Sequence, residues 1–248
     1  MLLTRLPWGL GTISAFAPRG IERPAMRQVW RELTFLHWRY DPSTISSRLP
    51  SGLTLDTFDG SAWVGLVPFL LVGVQPRGFP AVPWISAFPE TNVRTYVRGA
   101  DGEPGVWFFT LEADRLAAVM LARVWYHLPY RWASMRVERR GASIEYHSRR
   151  NRLFGQGKTA IGIEIGDTLE TKELDRFLTA RFRLYTAVRG RIAYALIEHP
   201  PWPLRHATVT ALDENLIQNS GVPPPLGEPL VHYSEELIVK AEALQWMR

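Results

Sequence analysis

Cysteine is absent from this 248-residue chain, which excludes disulfides, thiolate nucleophiles and cysteine-ligated metals. Lysine is nearly absent: Lys158, Lys172 and Lys240 are the only lysines among 29 basic residues, and the rest are arginine. An amine nucleophile therefore has three places to come from. No apolar run approaches the roughly 18 residues of a spanning helix. Met1–Ala17 is interrupted by Pro7, Gly9 and Gly11 and lacks the unbroken apolar core of a signal peptide. No membrane partner is expected, and a cytoplasmic location is the default expectation. The six histidines, His37, His127, His147, His199, His206 and His232, show neither His-x-His nor His-Glu-x-x-His spacing, so neither a metal nor another cofactor is expected. There is no Gly-x-Ser-x-Gly nucleophile elbow.

Dense basic stripes are missing too. The 29 basic and 24 acidic residues leave a net charge of +5. Arg139-Arg140 and Arg149-Arg150-Asn151-Arg152 flank an expected hairpin without interleaved aromatics, so no nucleic-acid partner is expected. No repeat or composition break divides the chain. The expected organisation is an irregular N-terminal arm over 1–28, punctuated by Pro7, Gly9, Gly11, Pro18, Gly20 and Pro24, and a single domain over 29–248.

What the chain has is strand signal and tryptophan, ten of them. The central stretch runs from Glu90 to Arg98. At the two-residue period of a strand, Glu90, Asn92, Arg94, Tyr96 and Arg98 share a polar face, and Thr91, Val93, Thr95 and Val97 share the other. That polar face meets water on an ordinary sheet, or lines a cavity in a closed one. Gly102-Glu103-Pro104-Gly105 turns the chain into Val106–Glu112, predicting a hairpin, in which alternation places Phe108, Thr110 and Glu112 on one face. Asp59-Gly60 predicts a type I′ turn joining Leu53–Phe58 to Ser61–Val67. Arg189-Gly190 predicts another turn, between Arg181–Val188 and Arg191–Glu198. Further strands are expected at Val29–Tyr40, Met135–Glu138, Ser143–Ser148, Lys158–Gly166, Ala207–Leu212 and from Leu230.

A helix is expected from about Ala113, capped by Asp114, with Leu116, Val119, Met120 and Val124 at helical spacing. Arg123 falls within that stripe, where burial would demand an anionic partner; Glu112 is the candidate. Glu173–Thr179 predicts a short amphipathic helix.

Phe35-Leu36-His37-Trp38, Phe58-Asp59-Gly60-Ser61-Ala62-Trp63-Val64-Gly65, Glu90–Val97, Trp107-Phe108-Phe109, Leu128-Pro129-Tyr130, Phe177–Arg181, Leu184-Tyr185-Thr186 and His199-Pro200-Pro201-Trp202-Pro203-Leu204 together resemble the YqjF-like family, a domain of unknown function (DUF2071). The resemblance covers roughly residues 30–235. That family is distantly similar to the acetoacetate decarboxylase superfamily. The resemblance implies a mainly β fold with a few short helices, a closed antiparallel β-barrel around a ligand cavity. In acetoacetate decarboxylase a lysine of depressed pKa forms a Schiff base with the keto acid. The corresponding stretch, near the end of Val106–Glu112, has no lysine here. By the same analogy Glu90, preceded by the aromatic Phe88, stands where the superfamily places a cavity carboxylate.

Lys158, in Gly155-Gln156-Gly157-Lys158-Thr159, does not substitute: a phosphate loop needs glycine where Arg152 stands and a helix afterwards. The expected function is binding of a small carbonyl- or carboxylate-bearing metabolite, with no Schiff-base lysine. The expected lining is His37, Glu90, Asn92, Arg94, Thr110 and Glu112. If the chain is an enzyme, it is a lyase or hydratase with Glu90 as general acid/base and Arg94 as an electrostatic clamp. A structural or interaction module with a filled interior is the third reading, and homo-oligomerisation is left open.

Overall fold

Alternation and turn chemistry set the strand pairs that are neighbours in the chain, and the other pairs join distant segments. The structure, a computed structural model, describes residues 14–80 and 86–247. Residues 14–25 are irregular, followed by β1 (Met26–Tyr40), α1 (Pro42–Ser46), β2 (Leu53–Leu55), β3 (Ala62–Pro76), β4 (Phe88–Gly99) and β5 (Pro104–Ala113). Next come α2 (Leu116–Trp125), β6 (Tyr130–Arg140), β7 (Ser143–Arg150) and β8 (Lys158–Thr168), then α3 (Glu173–Thr179), β9 (Arg183–Val188), β10 (Arg191–Glu198) and β11 (Leu204–Glu214). The chain ends with α4 (Leu216–Asn219), β12 (Leu230–Ala241) and β13 (Gln245–Trp246). The part of the expected arm over residues 1–13 lies outside the described residues.

The organising element is a five-stranded wall, β12-β1-β3-β4-β5, with every neighbouring pair antiparallel. Each edge of this wall forks. β5 pairs in parallel with β9 at Val106 and Trp107, and in parallel with β6 from Leu111 to Ala113. β12 pairs with β11 around Ser234 and with β10 at Ala241. β9 and β10 thus close one ring on the wall, while β6, β7, β8 and β11 close a second on its other face. The expected all-antiparallel sheet is corrected at β5: two of its ladders are parallel, because its edge takes partners from chain segments that return in the same direction.

Both faces of the wall are consequently buried, which is why β4 is buried along nearly its whole length. One hydrophobic core lies on the β9–β10 side, with Leu33, Phe35, Val67, Phe69, Leu111, Leu184 and Trp202. The other lies on the β7–β8 side, with Leu36, Val64, Leu66, Val93, Ile144, Ile161 and Ile163. Alternation sends successive wall residues into opposite cores.

Local expectations hold at the turns and fail at some partners. Asp59 and Gly60 both have positive φ, as do Arg189 and Gly190, the signature of type I′ turns. The ladder beyond Asp59-Gly60 is a single bridge, Phe58 to Ser61, and β2 pairs with β4 instead of β3. Helix α2 starts at Leu116 behind Arg115, with no side-chain cap, and Asp114 pairs with Arg115. Its expected apolar stripe is mostly exposed: Val119 is buried, whereas Leu116, Met120 and Val124 are not. Arg123 is exposed and donates to the Tyr130 carbonyl at 2.9 Å, so the proposed Glu112–Arg123 pair does not form.

Candidate functional site

On the β9–β10 side, Glu90, Asn92, Arg94 and Tyr96 follow one another along one face of β4, and all four are buried. The first three line a cavity of about 110 Å³. The lining also includes Trp30 of β1, Leu111 of β5, Tyr126 just after α2, Tyr130 of β6, Arg181, and His199 and Trp202 of the proline-rich connection. At about 30 Å³ per water, this space holds a molecule of a handful of heavy atoms.

Burial pushes the Glu90 carboxyl up to about 8, opposed by a hydrogen bond from the Tyr130 hydroxyl at 2.9 Å. Glu90 is therefore mainly a neutral acid at pH 7, with a proton to give. Arg94 donates to the Leu178 carbonyl at 3.1 Å, and its guanidinium lies over the Phe35 and Tyr96 rings. It forms no ion pair among the described residues, and its Nε has no partner. Arginine stays charged in a protein, so a buried positive charge stands in this site without a carboxylate. Asn92 Oδ1 and Arg181 Nη2 are likewise buried without partners. Arg181 differs in having a counter-charge: Nη1 meets Asp56 at 2.7 Å, and Asp56 also accepts from Arg98 at 2.9 Å.

His37 lies behind Tyr96, outside the cavity lining. Its Nε2 is 2.6 Å from the Tyr96 hydroxyl, which donates to the Leu178 carbonyl at 2.7 Å. Because the hydroxyl proton is used there, His37 donates from Nε2 and keeps Nδ1 as an acceptor; that atom has no partner. Burial first, then Arg94 and His232, hold the imidazole well below its ordinary range, so it is neutral. Gly65 is its ladder partner, and a Cβ there would come within 2.9 Å of the ring. His199 also lines the cavity and is held at about 4 by burial. Its Nδ1 donates to the Pro200 carbonyl at 2.7 Å.

Thr110 and Glu112 do not join this group. The β4–β5 register pairs Val93 with Thr110 and Arg94 with Phe108, so Phe109 is an extra residue in a β-bulge. The bulge reverses the alternation: Phe108 and Leu111 face the cavity, and Thr110 and Glu112 face the second core. There Glu112 accepts from Arg150 at 2.6 and 3.0 Å and from Thr110 at 3.1 Å. Burial pushes its carboxyl up, with Arg150 opposing. Among the cavity residues that alternation along β4 does not point to are Tyr130, Arg181 and His199. Each stands within a motif that carried the family resemblance, which was the available signal.

None of the three lysines borders the cavity. Lys158 pairs with Asp213 at 2.6 Å, Lys240 with Glu198 at 3.1 Å, and Lys172 is the N-cap residue of α3. Among the described residues no cluster of three or more metal-ligating side chains occurs, and no helix is long and apolar enough to cross a membrane.

A family model described as an uncharacterized conserved protein, DUF2071, matches residues 27–237. The chain belongs to the DUF2071 family. It is 39% identical over 225 residues to the uncharacterized protein YqjF of Bacillus subtilis strain 168, covering 89% of this chain and 90% of that one. Among solved structures, this DUF2071 chain is similar to acetoacetate decarboxylase from Legionella pneumophila, with a TM-score of 0.63 at 13% identity, covering 93% and 92% of the two chains. It is also similar to the enduracididine biosynthesis enzyme MppR complexed with pyruvate, with a TM-score of 0.60 at 13% identity and 90% of each chain covered. These likenesses establish the acetoacetate decarboxylase-like fold of this DUF2071 protein.

Proposed function

We propose that this DUF2071 protein is a barrel that binds a small carboxylate-bearing metabolite, with a carbonyl or hydroxyl, in the cavity along β4. The observation that carries the reading is Arg94, a buried guanidinium without a carboxylate partner. A charge in that position is stabilised by an anion, and its planar fork suits a carboxylate. The ligand carboxylate sits at Arg94, with its oxygen functions directed toward Asn92 and Glu90. MppR, which shares the fold, has been crystallised with pyruvate, a molecule of the size this cavity admits. Amine chemistry is not part of the proposal, since no lysine borders the space.

The test is calorimetric titration of wild type and Arg94→Gln with pyruvate, other short oxo acids and an uncharged ketone. Charge-assisted hydrogen bonds are worth about 1.5–3 kcal/mol, so Arg94→Gln is expected to weaken binding of the acids roughly 10- to 100-fold while leaving the ketone unaffected. Equal affinity in the two proteins would overturn the reading. Absence of acid binding to the wild type would favour a structural module.

A second reading rests on Glu90. A carboxyl held at about 8 can give or take a proton near neutrality, the property required of a general acid/base in a lyase or hydratase. In that case Glu90→Gln retains binding of the acid and loses its turnover.

A further inference from the structure

An open groove of about 610 Å³ lies on the outside of the β5 fork, where β9 and β6 diverge. Trp107 and Phe109 contribute apolar surface. The charged lining is Arg48, Arg123, Arg131 and Arg189, with no aspartate or glutamate. Other arginine clusters are interleaved with carboxylates, as Arg139 meets Glu32 and Glu235, and Arg136 and Arg140 meet Glu138. In the groove none of the four forms an ion pair among the described residues. Arg48 donates to the Thr44 and Gly221 carbonyls, and Arg123 to that of Tyr130.

Like charges gathered without a counter-charge repel. Partial burial, and then the guanidiniums of Arg150 and Arg123, hold Arg131 below the ordinary arginine range, with Glu112 opposing. The backbone bears a further cost here: His127 has a φ of +49°, in the left-handed region that non-glycine residues seldom adopt. The Thr186 hydroxyl ties its carbonyl at 2.8 Å.

We propose that this groove is a second binding site, for a multiply charged anion of the phosphate or phosphate-ester class. Four guanidinium groups exceed what a single carboxylate neutralises, and planar guanidinium forks match phosphate oxygens in paired hydrogen bonds. The site is separate from the cavity of β4; the two linings share only Phe108 and Leu128, which stand between them. It therefore does not depend on what the cavity holds.

Calorimetric titration with inorganic pyrophosphate, AMP and a short single-stranded RNA, at fixed ionic strength, tests the site. Arg123→Gln/Arg131→Gln is expected to weaken pyrophosphate binding at least tenfold. Arg48→Gln/Arg189→Gln changes two exposed residues, of which only Arg48 holds neighbouring carbonyls, and a similar loss is expected should the first pair fail to fold. The remote exposed pair Arg23→Gln/Arg77→Gln, beside the start of β1, and Arg94→Gln in the cavity, are expected to bind as wild type does. AMP binding more tightly than pyrophosphate identifies a phosphate ester as the ligand type; the reverse identifies the free anion. No pyrophosphate binding to wild type, or an equal loss in the remote pair, would overturn the proposal, as would RNA binding far more tightly than either small anion.

Discussion

Two glutamates placed on opposite faces of the wall reach neutrality by different means. Glu112 is matched by Arg150, whereas Glu90 meets only a tyrosine hydroxyl and keeps its proton. The second solution leaves a pH signature. An unfolded Glu90 ionises near 4.5, but the folded one does so only near 8. Between those values the unfolded chain has lost a proton that the native state retains, so stability falls as pH rises, at about 1.4 kcal/mol per pH unit for a single group. The stabilisation is whole below pH 4.5 and gone above 8. Glu90→Gln has no such proton to lose. In urea unfolding at pH 5, 6.5 and 8, wild type is expected to lose ground to this variant with each step upward. Parallel curves for the two proteins would mean that Glu90 is ionised in the native state.

At the level of the strand, single residues decide which compartment a side chain enters. The bulge at Phe109 turns Glu112 from the cavity toward Arg150, and Glu32, at a φ of +49°, sits in a similar irregularity of β1. The alternation of Glu90, Asn92 and Arg94 was legible because β4 is regular there. The placement of Thr110 and Glu112 was not, because an extra residue leaves no mark in a pattern of residue types. Breaking the pair on the far face tests its role. Arg150→Met leaves Glu112 buried without a counter-charge and is expected to cost about 3–5 kcal/mol. Arg150→Met combined with Glu112→Leu removes both charges and is expected to regain most of that loss. Additive losses in denaturant titrations would contradict the coupling.

Over the whole molecule, local chemistry and long-range pairing differed in how well they could be read. Asp59-Gly60 and Arg189-Gly190 announce their turns because only a few residues accept positive φ. The forks at β5 and β12 join segments far apart in the chain, such as Val106 with Leu184 and Ile197 with Ala241, and no local pattern encodes such partners. The family resemblance supplied the closed topology, but not the two faces of the wall or its parallel ladders. Composition showed how few lysines there are, and the resemblance showed that none stands near the end of Val106–Glu112.

The position of β12 sets the order in which the protein can be assembled. It lies beside β1 in the wall and touches both closing arms, β10 and β11, yet it is made after all of them. A ribosome must therefore have released β12 itself before either ring can shut, and until then the strand edges of both arms stay open to wrong partners. Removal of residues 230–248 is accordingly expected to abolish both compartments together, giving a chain that proteases cut throughout; a fragment with one protected half would show that the rings fold independently. An early strand waiting on a late one makes this fold slow to complete and dependent on protection while it waits.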